Sequence, residues 1–198
     1  MKKTLLGIFM SAIIVSSFAF NYITNYSIDI EQSELTWAGK KIAYGHSGSL
    51  NLAKGTLMVA NGKLTGGNFE MDMTSMVNTD IEDESRKTRL MGHLKSEDFF
   101  NVAQFPTSTV SITSVKSQKS ENGNYEITAD LTIKGTTHPV TFPANVVIKG
   151  DKIIAEASIV FDRSKYDVRY GSGSFFDDLG DKVIYDDIEI GVKLIANK

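Results

Sequence analysis

The nine residues Tyr125-Glu126-Ile127-Thr128-Ala129-Asp130-Leu131-Thr132-Ile133 decide the fold. Apolar side chains take every odd position and polar ones nearly every even position, the period of two that turns one face of an extended strand toward a core. The alternation returns downstream in Val140, Phe142, Ala144, Val146 and Ile148, then in Ile153, Ala155, Ala157, Ile159 and Phe161. Ile188, Ile190, Val192 and Leu194 close the chain in the same way. Upstream, Phe69, Met71 and Met73 alternate with Glu70, Asp72 and Thr74, and shorter stretches at 26–30, 35–37, 57–59 and 110–112 read similarly.

Turn chemistry separates these runs. Asn61-Gly62 and Asn122-Gly123 offer the positive φ angles of tight hairpins, and Lys149-Gly150-Asp151 joins two strongly alternating strands. Pro106 and Pro143 are expected at strand starts or edges, because proline cannot donate to a central ladder. Gly66-Gly67 within a strand pattern suggests a bulge or bend. Short strands joined by hairpins imply an all-β, antiparallel sheet, and closing it into a barrel removes its exposed edges.

One segment breaks the pattern. Residues 80–101 are charged and helix-favouring, with Thr79 and Glu82 spaced as a capping box and Ser96 placed to cap a short second turn through Glu97 to Phe100. Asp80, Glu82, Asp83 and Glu84 precede Arg86, Lys87 and Arg89, the order that complements a helix dipole. This helical insertion, near residues 80–100, is expected to lie across the barrel. Leu90, Leu94, Phe99 and Phe100 would cap one end of a cavity, with His93 at the rim or fixing the segment by hydrogen bonding; long segments without strand pattern are often lids.

The first residues read as a leader. Lys2 and Lys3 precede an apolar run at residues 5–20, and Ser17 and Ala19 fit the small positions of a signal-peptidase site cleaving after Ala19. The run has 16 residues, short of the roughly 20 that span a bilayer, and polar Asn21 follows it. A signal peptide over residues 1–19 and a periplasmic or secreted product are therefore expected, with one domain over residues 24–197. No later stretch is apolar enough for an integral membrane span. The formal charge of −3 gives no footprint for nucleic acid. The absence of cysteine excludes disulfides, thiolate catalysis and thiolate metal sites.

Five patterns, in order, carry a family resemblance. They are Trp37-Ala38-Gly39-Lys40 with Gly45-His46-Ser47-Gly48; Gly67-Asn68-Phe69-Glu70-Met71-Asp72-Met73; residues 90–100 (LMGHLKSEDFF) followed by Phe105-Pro106; Asp130-Leu131-Thr132-Ile133-Lys134-Gly135-Thr136-Thr137; and Arg163-Ser164-Lys165-Tyr166. Over residues 26–195 the chain resembles the YceI-like, polyisoprenoid-binding family. The resemblance implies an eight-stranded antiparallel, lipocalin-like barrel that holds a long isoprenoid lipid in its interior. Tyr166 stands where tryptophan or another aromatic is common, and the glycine-rich residues 168–173 are expected to reshape the mouth as a flexible loop.

On that frame the candidate wall residues are Trp37, Phe69, Met71, Met73, Val110, Ile112, Phe142, Ile159 and Phe161, the alternative being a barrel filled by the same side chains. Met71 and Met73 favour an adaptable apolar wall. Each five-carbon unit buried gains roughly 3–4 kcal/mol at about 0.8 kcal/mol per CH₂. Three or four units offset an association cost of about 4–15 kcal/mol. No cofactor or catalytic group is called for. His46, His93 and His138 match no zinc spacing, leaving only a haem or metal site built from distant histidines as a minor alternative. Ser47, Ser49 and Ser172 sit beside glycines but form no nucleophile elbow. Three readings follow: an exported isoprenoid carrier, an envelope stress or chaperone-like factor with a filled barrel, and a hydrolase or haem protein reusing the barrel. Each is compatible with a homodimer.

Overall fold

Each alternating run forms a strand. The computed structural model describes residues 22–42 and 44–198, so the expected leader and its cleavage site lie outside the described residues. Among the described residues nine strands follow one another as β1 (Ile23–Ile28), β2 (Glu34–Lys41), β3 (Gly45–Ala60), β4 (Lys63–Asn78), β5 (Thr107–Ser120), β6 (Gly123–Ile133), β7 (Thr136–Lys149), β8 (Lys152–Asp162) and β9 (Ile184–Asn197). All pair antiparallel, and from β2 to β9 each strand pairs with the next in sequence, including β8 with β9 across the longest connection between strands after that of α1.

The ring closes with eight staves. β1 and β2 share one of them: β1 pairs with the Thr56 to Ala60 end of β3 and touches β9 at Ala196 and Asn197, whereas β2 pairs with the other end of both strands. Ser33, in the turn between them, bridges the break. Its hydroxyl accepts from Ile195 N–H at 3.0 Å and donates to Ile195 C=O at 3.4 Å, replacing the missing rung.

The closed end, or floor, is made of tight hairpins. Asn61-Gly62 has φ of 52° and 73°, as expected for a two-residue turn. At the next hairpin only Gly123 has positive φ, at 153°, and it is already the first strand residue; Glu121 and Asn122 make the turn. Gly123 is needed there because a Cβ would lie 2.5 Å from Ala144 O. The Tyr26 hydroxyl donates to Gly150 O at 2.9 Å, drawing β1 across the β7–β8 turn. Tyr26, Leu57, Val59, Ile153 and Ala196 pack the floor.

One sequence expectation shifts in detail. Pro143 lies inside β7, not at a strand start. The ladder to β6 runs through both Pro139 and Pro143, whereas the ladder to β8 begins only at Ala144. Successive odd residues of a strand point to one edge, so both missing donors fall on the edge where β8 makes no rungs. The glycine pair behaves as expected: the β3–β4 register slips between Met58 and Val59, leaving Thr65 extra beside Gly66.

The expected helix is α1 (Glu84–Lys95), but its cap is Asp83, whose carboxylate accepts from Arg86 N–H at 2.7 Å, and not Thr79 with Glu82. Ser96 caps the other end, donating its hydroxyl to His93 O at 2.8 Å, and residues 97–100 form the short hydrogen-bonded turn expected after it. No residue of α1 is buried. None of the helices among the described residues is long and apolar enough to cross a membrane.

Candidate functional site

The inward faces of the strands do not fill the barrel. They enclose a cavity in which the space open to the centre of a water molecule is about 220 Å³, and the whole atom-free volume including the mouth is about 1720 Å³. All nine candidate wall residues line it: Trp37, Phe69, Met71, Met73, Val110, Ile112, Phe142, Ile159 and Phe161. Leu35, Leu50, Leu52, Ile188, Ile190 and Val192 also face it, and the alternation of β9 was the signal for the last three.

Local geometry explains how the wall is shaped. Trp37 lies opposite Gly48, where a Cβ would stand 1.9 Å from Val77 O and 2.7 Å from the indole ring. Glycine thus lets the ring lie against β3 while its Nε1 donates to Val77 O at 3.2 Å. In β4, the five steps from Asp72 to Val77 oppose two steps of β3, and the resulting kink turns both Met73 and Met76 inward. Thr74 N–H and hydroxyl donate to Asp72 at 2.9 and 2.6 Å, and Lys95 Nζ donates to Thr74 O at 2.7 Å, seating the helix end on the kink. These Thr74 bonds outweigh partial burial and hold the Asp72 carboxyl below its usual range.

Leu90, Leu94, Phe99 and Phe100 roof the open end. His93 does not reach the cavity. It stands behind the cap, edge-on to Phe99 at 5.0 Å and to Tyr170 at 4.4 Å between ring centres, with Nε2 3.5 Å from Asp98.

Beside the cap, Arg163 organises the mouth. The guanidinium is 1 % exposed and donates to Val168 O, Tyr170 O and Ile184 O at 3.0 Å and to Tyr185 O at 3.2 Å. It also pairs with Asp186 Oδ1 at 3.2 Å and stacks over the Phe99 ring at 5.7 Å. Burial lowers its pKa from the usual value, while Asp186 and Asp162 pull it back up. Asp186 belongs to a β9 bulge, three residues set against Lys40 alone. Its other oxygen accepts from Ser172 at 2.9 Å and Ser174 at 2.7 Å. The stretch at 171–174 is therefore a pinned corner with Ser172 fully buried, not the flexible loop its glycines suggest. Tyr166, 1 % exposed, packs edge-on to His138 and Phe161, and its hydroxyl has no hydrogen-bond partner among the described residues.

Sequence reasoning passed over Arg163 as a structural hub, and Lys41 and His46 as wall residues. The signal was present: Ile159, Phe161 and Arg163 continue one alternation, and so do Trp37, Gly39 and Lys41. Among the described residues no three of His, Cys, Asp or Glu are grouped to hold a metal ion.

A family described as "YceI-like domain" matches residues 26–196. The UPF0312 protein of Shewanella denitrificans is 32% identical over 153 residues, 76% of either chain. Protein YceI of Escherichia coli O157:H7 is 33% identical over 155 residues, again 76% of either chain. Among solved structures, BcnA of Burkholderia cenocepacia superposes with a TM-score of 0.68 at 21% identity, over 86% of this chain and 99% of that one. A domain of Saccharophagus degradans described as polyisoprenoid-binding gives 0.59 at 14% identity, over 87% and 97%.

Proposed function

Because this chain belongs to the YceI-like domain family, we propose that it is a non-enzymatic binding protein that holds a long-chain isoprenoid, of polyprenyl or quinone type, inside the barrel. One observation carries the reading: the cavity wall is almost wholly carbon, with Ser108, Lys41, His46, Glu156 and Arg163 as its few polar members. Ser108 is spent on Met73 Sδ, and Arg163 on backbone carbonyls. An apolar cavity of this kind stays dry and takes up apolar guests. The nine wall residues would grip the tail, and Leu90, Leu94, Phe99 and Phe100 would control its passage, with His93 bracing the cap from behind. The polyisoprenoid-binding description of the Saccharophagus degradans domain supports the ligand class.

The leader-like residues 1–19 support an exported, periplasmic or secreted setting. The reading is the same for a single chain or a homodimer. Space left inside the barrel speaks against a stress factor whose barrel is filled.

Organic extraction of the natively purified protein followed by mass spectrometry tests the assignment. A long apolar lipid is expected; extracts with no such lipid, from protein that also fails to take up added polyprenol, would reject it. Met71→Asp places a charge in the wall and should abolish lipid retention. Glu70→Gln, on the opposite face of β4, should leave it intact.

A further inference from the structure

Two titratable side chains, Lys41 and His46, stand in the wall at the open end of the cavity. The period of two puts Leu35, Trp37, Gly39 and Lys41 on the inner face of β2, and His46 and Leu50 on that of β3. Gly39 pairs directly with His46, so Lys41 lies one inward step nearer the mouth. Gly39 also keeps the space beside them open, since a Cβ there would meet only Ile188 Cδ1, at 3.3 Å. The β9 bulge opposite Lys40 falls at the same level, a device that re-aims neighbouring side chains.

His46 is oriented, not loose. Its Nδ1 lies 2.9 Å from Asp80 Oδ2, and the other Asp80 oxygen accepts from Ser47 N–H at 2.8 Å and from the Asn78 amide. Partial burial raises the Asp80 pKa, but the bonds from Ser47, His46 and Asn78 outweigh it and hold the carboxyl below its usual range. An ionised Asp80 keeps the proton on Nδ1 and leaves Nε2 for another partner. Tyr44 stands edge-on to the imidazole with ring centres 5.5 Å apart, and the Lys41 ammonium is 5.5 Å from the centre of the Tyr44 ring. Lys41 thus has a π-face beside it and, among the described residues, no carboxylate within ion-pair distance. Arg163, the other cation of the wall, is fully engaged by four carbonyls and Asp186.

We infer that this corner is a headgroup subsite for an isoprenoid that carries an acidic head of the phosphate-monoester class, an inference that rests on the cavity being the isoprenoid site. Lys41 supplies the counter-charge for the anionic oxygens, since an ammonium beside an apolar wall is costly without one. His46 Nε2 accepts from a protonated phosphate oxygen, or as imidazolium donates to an anionic one. The tail then enters the barrel past Trp37, and the head stays at the water-facing rim.

The test compares geranylgeranyl phosphate with geranylgeraniol on the full purified chain, each displacing a fluorescent polyprenyl probe. The phosphate should bind about tenfold more tightly, the scale of one charge-assisted contact. Lys41→Met should remove that preference and leave the alcohol within about twofold; His46→Gln should lower it by roughly threefold, and Lys63→Met at the floor should change neither. The ³¹P resonance of the bound phosphate should shift in the wild type and lose that shift in Lys41→Met. Equal affinity for phosphate and alcohol in the wild type overturns the subsite and leaves the cavity reading standing. Inorganic phosphate displacing the probe as well as the lipid does would reassign the corner as a free-anion site and overturn the lipid-head assignment. Failure of both lipids to bind sinks the cavity reading and the subsite with it.

Discussion

The two ends of the barrel are closed by different means. The floor is sealed by short hairpins and by side chains that continue the strand alternation, with Leu57, Ile153 and Ala196 buried among neighbours from other strands. At the mouth the roof is a helix without a buried residue, and the rim keeps Tyr44, Tyr170, Phe175, Phe176 and Tyr185 exposed. What holds the mouth together is one buried arginine drawing 163–171 and 184–186 onto its guanidinium. Burial stabilises without direction, whereas hydrogen bonds fix a shape around an opening. The end that must stay shaped but not filled is the end that relies on polar bonds.

The largest effect expected from breaking this contrast is at Arg163. Arg163→Leu would strand the enclosed Oδ1 of the half-buried Asp186 carboxylate and four carbonyls, and should cost about 3–5 kcal/mol in a urea melt. A loss under about 1 kcal/mol, the worth of an ordinary exposed ion pair, would show that the mouth does not depend on the hub.

A paired truncation sharpens the contrast. Leu57→Ala at the floor should cost about 2–5 kcal/mol and leave the release rate of a fluorescent polyprenyl analogue close to wild type. Leu94→Ala in the half-buried cap should cost less than that range and speed release clearly, read by stopped flow. Release unaffected by Leu94→Ala would make α1 a structural plug and not a lid.

The smallest effect concerns Tyr166. Burial, with a contribution from Asp162, pushes its hydroxyl up to about 12 from an ordinary value near 10. The unfolded chain therefore ionises this group first, and its contribution to stability, complete below pH 10, is lost as pH rises toward about 12. Tyr166→Phe should lack that alkaline loss. At neutral pH it should be neutral or stabilising by up to about 1 kcal/mol, because the hydroxyl removed has no partner. Parallel alkaline titrations of wild type and variant would contradict the assignment.

The same contrast explains what the sequence made legible. Alternation in residues 125–133, 140–148, 153–161 and 188–194, and in the shorter runs at 35–37, 69–73 and 110–112, reports burial on one face and marked the strands and the nine residues that line the cavity, while Asn-Gly turn chemistry marked the floor hairpin at Asn61-Gly62. It was silent where register slips. The kink at Asp72 to Ser75 hides the 16-residue lengths of β3 and β4. The shared stave of β1 and β2 depends on a side-chain bridge from Ser33 to Ile195, 162 positions away. At Asp83, several acids in one turn compete to cap, and only geometry selects among them. Alternation turns Arg163 inward, but its partners are mostly backbone carbonyls, which every residue carries, so no residue type in the sequence names them.

The central claim, that the interior is an isoprenoid site of limited depth, is tested most directly by a chain-length series. Affinities of prenols from one to six five-carbon units, measured by displacement of a fluorescent probe, should rise steeply through the first three or four units. Each unit carries at most roughly 3–4 kcal/mol of burial, and the curve should level once the cavity volume of about 220 Å³ is occupied. Affinity that does not change with chain length would contradict the account.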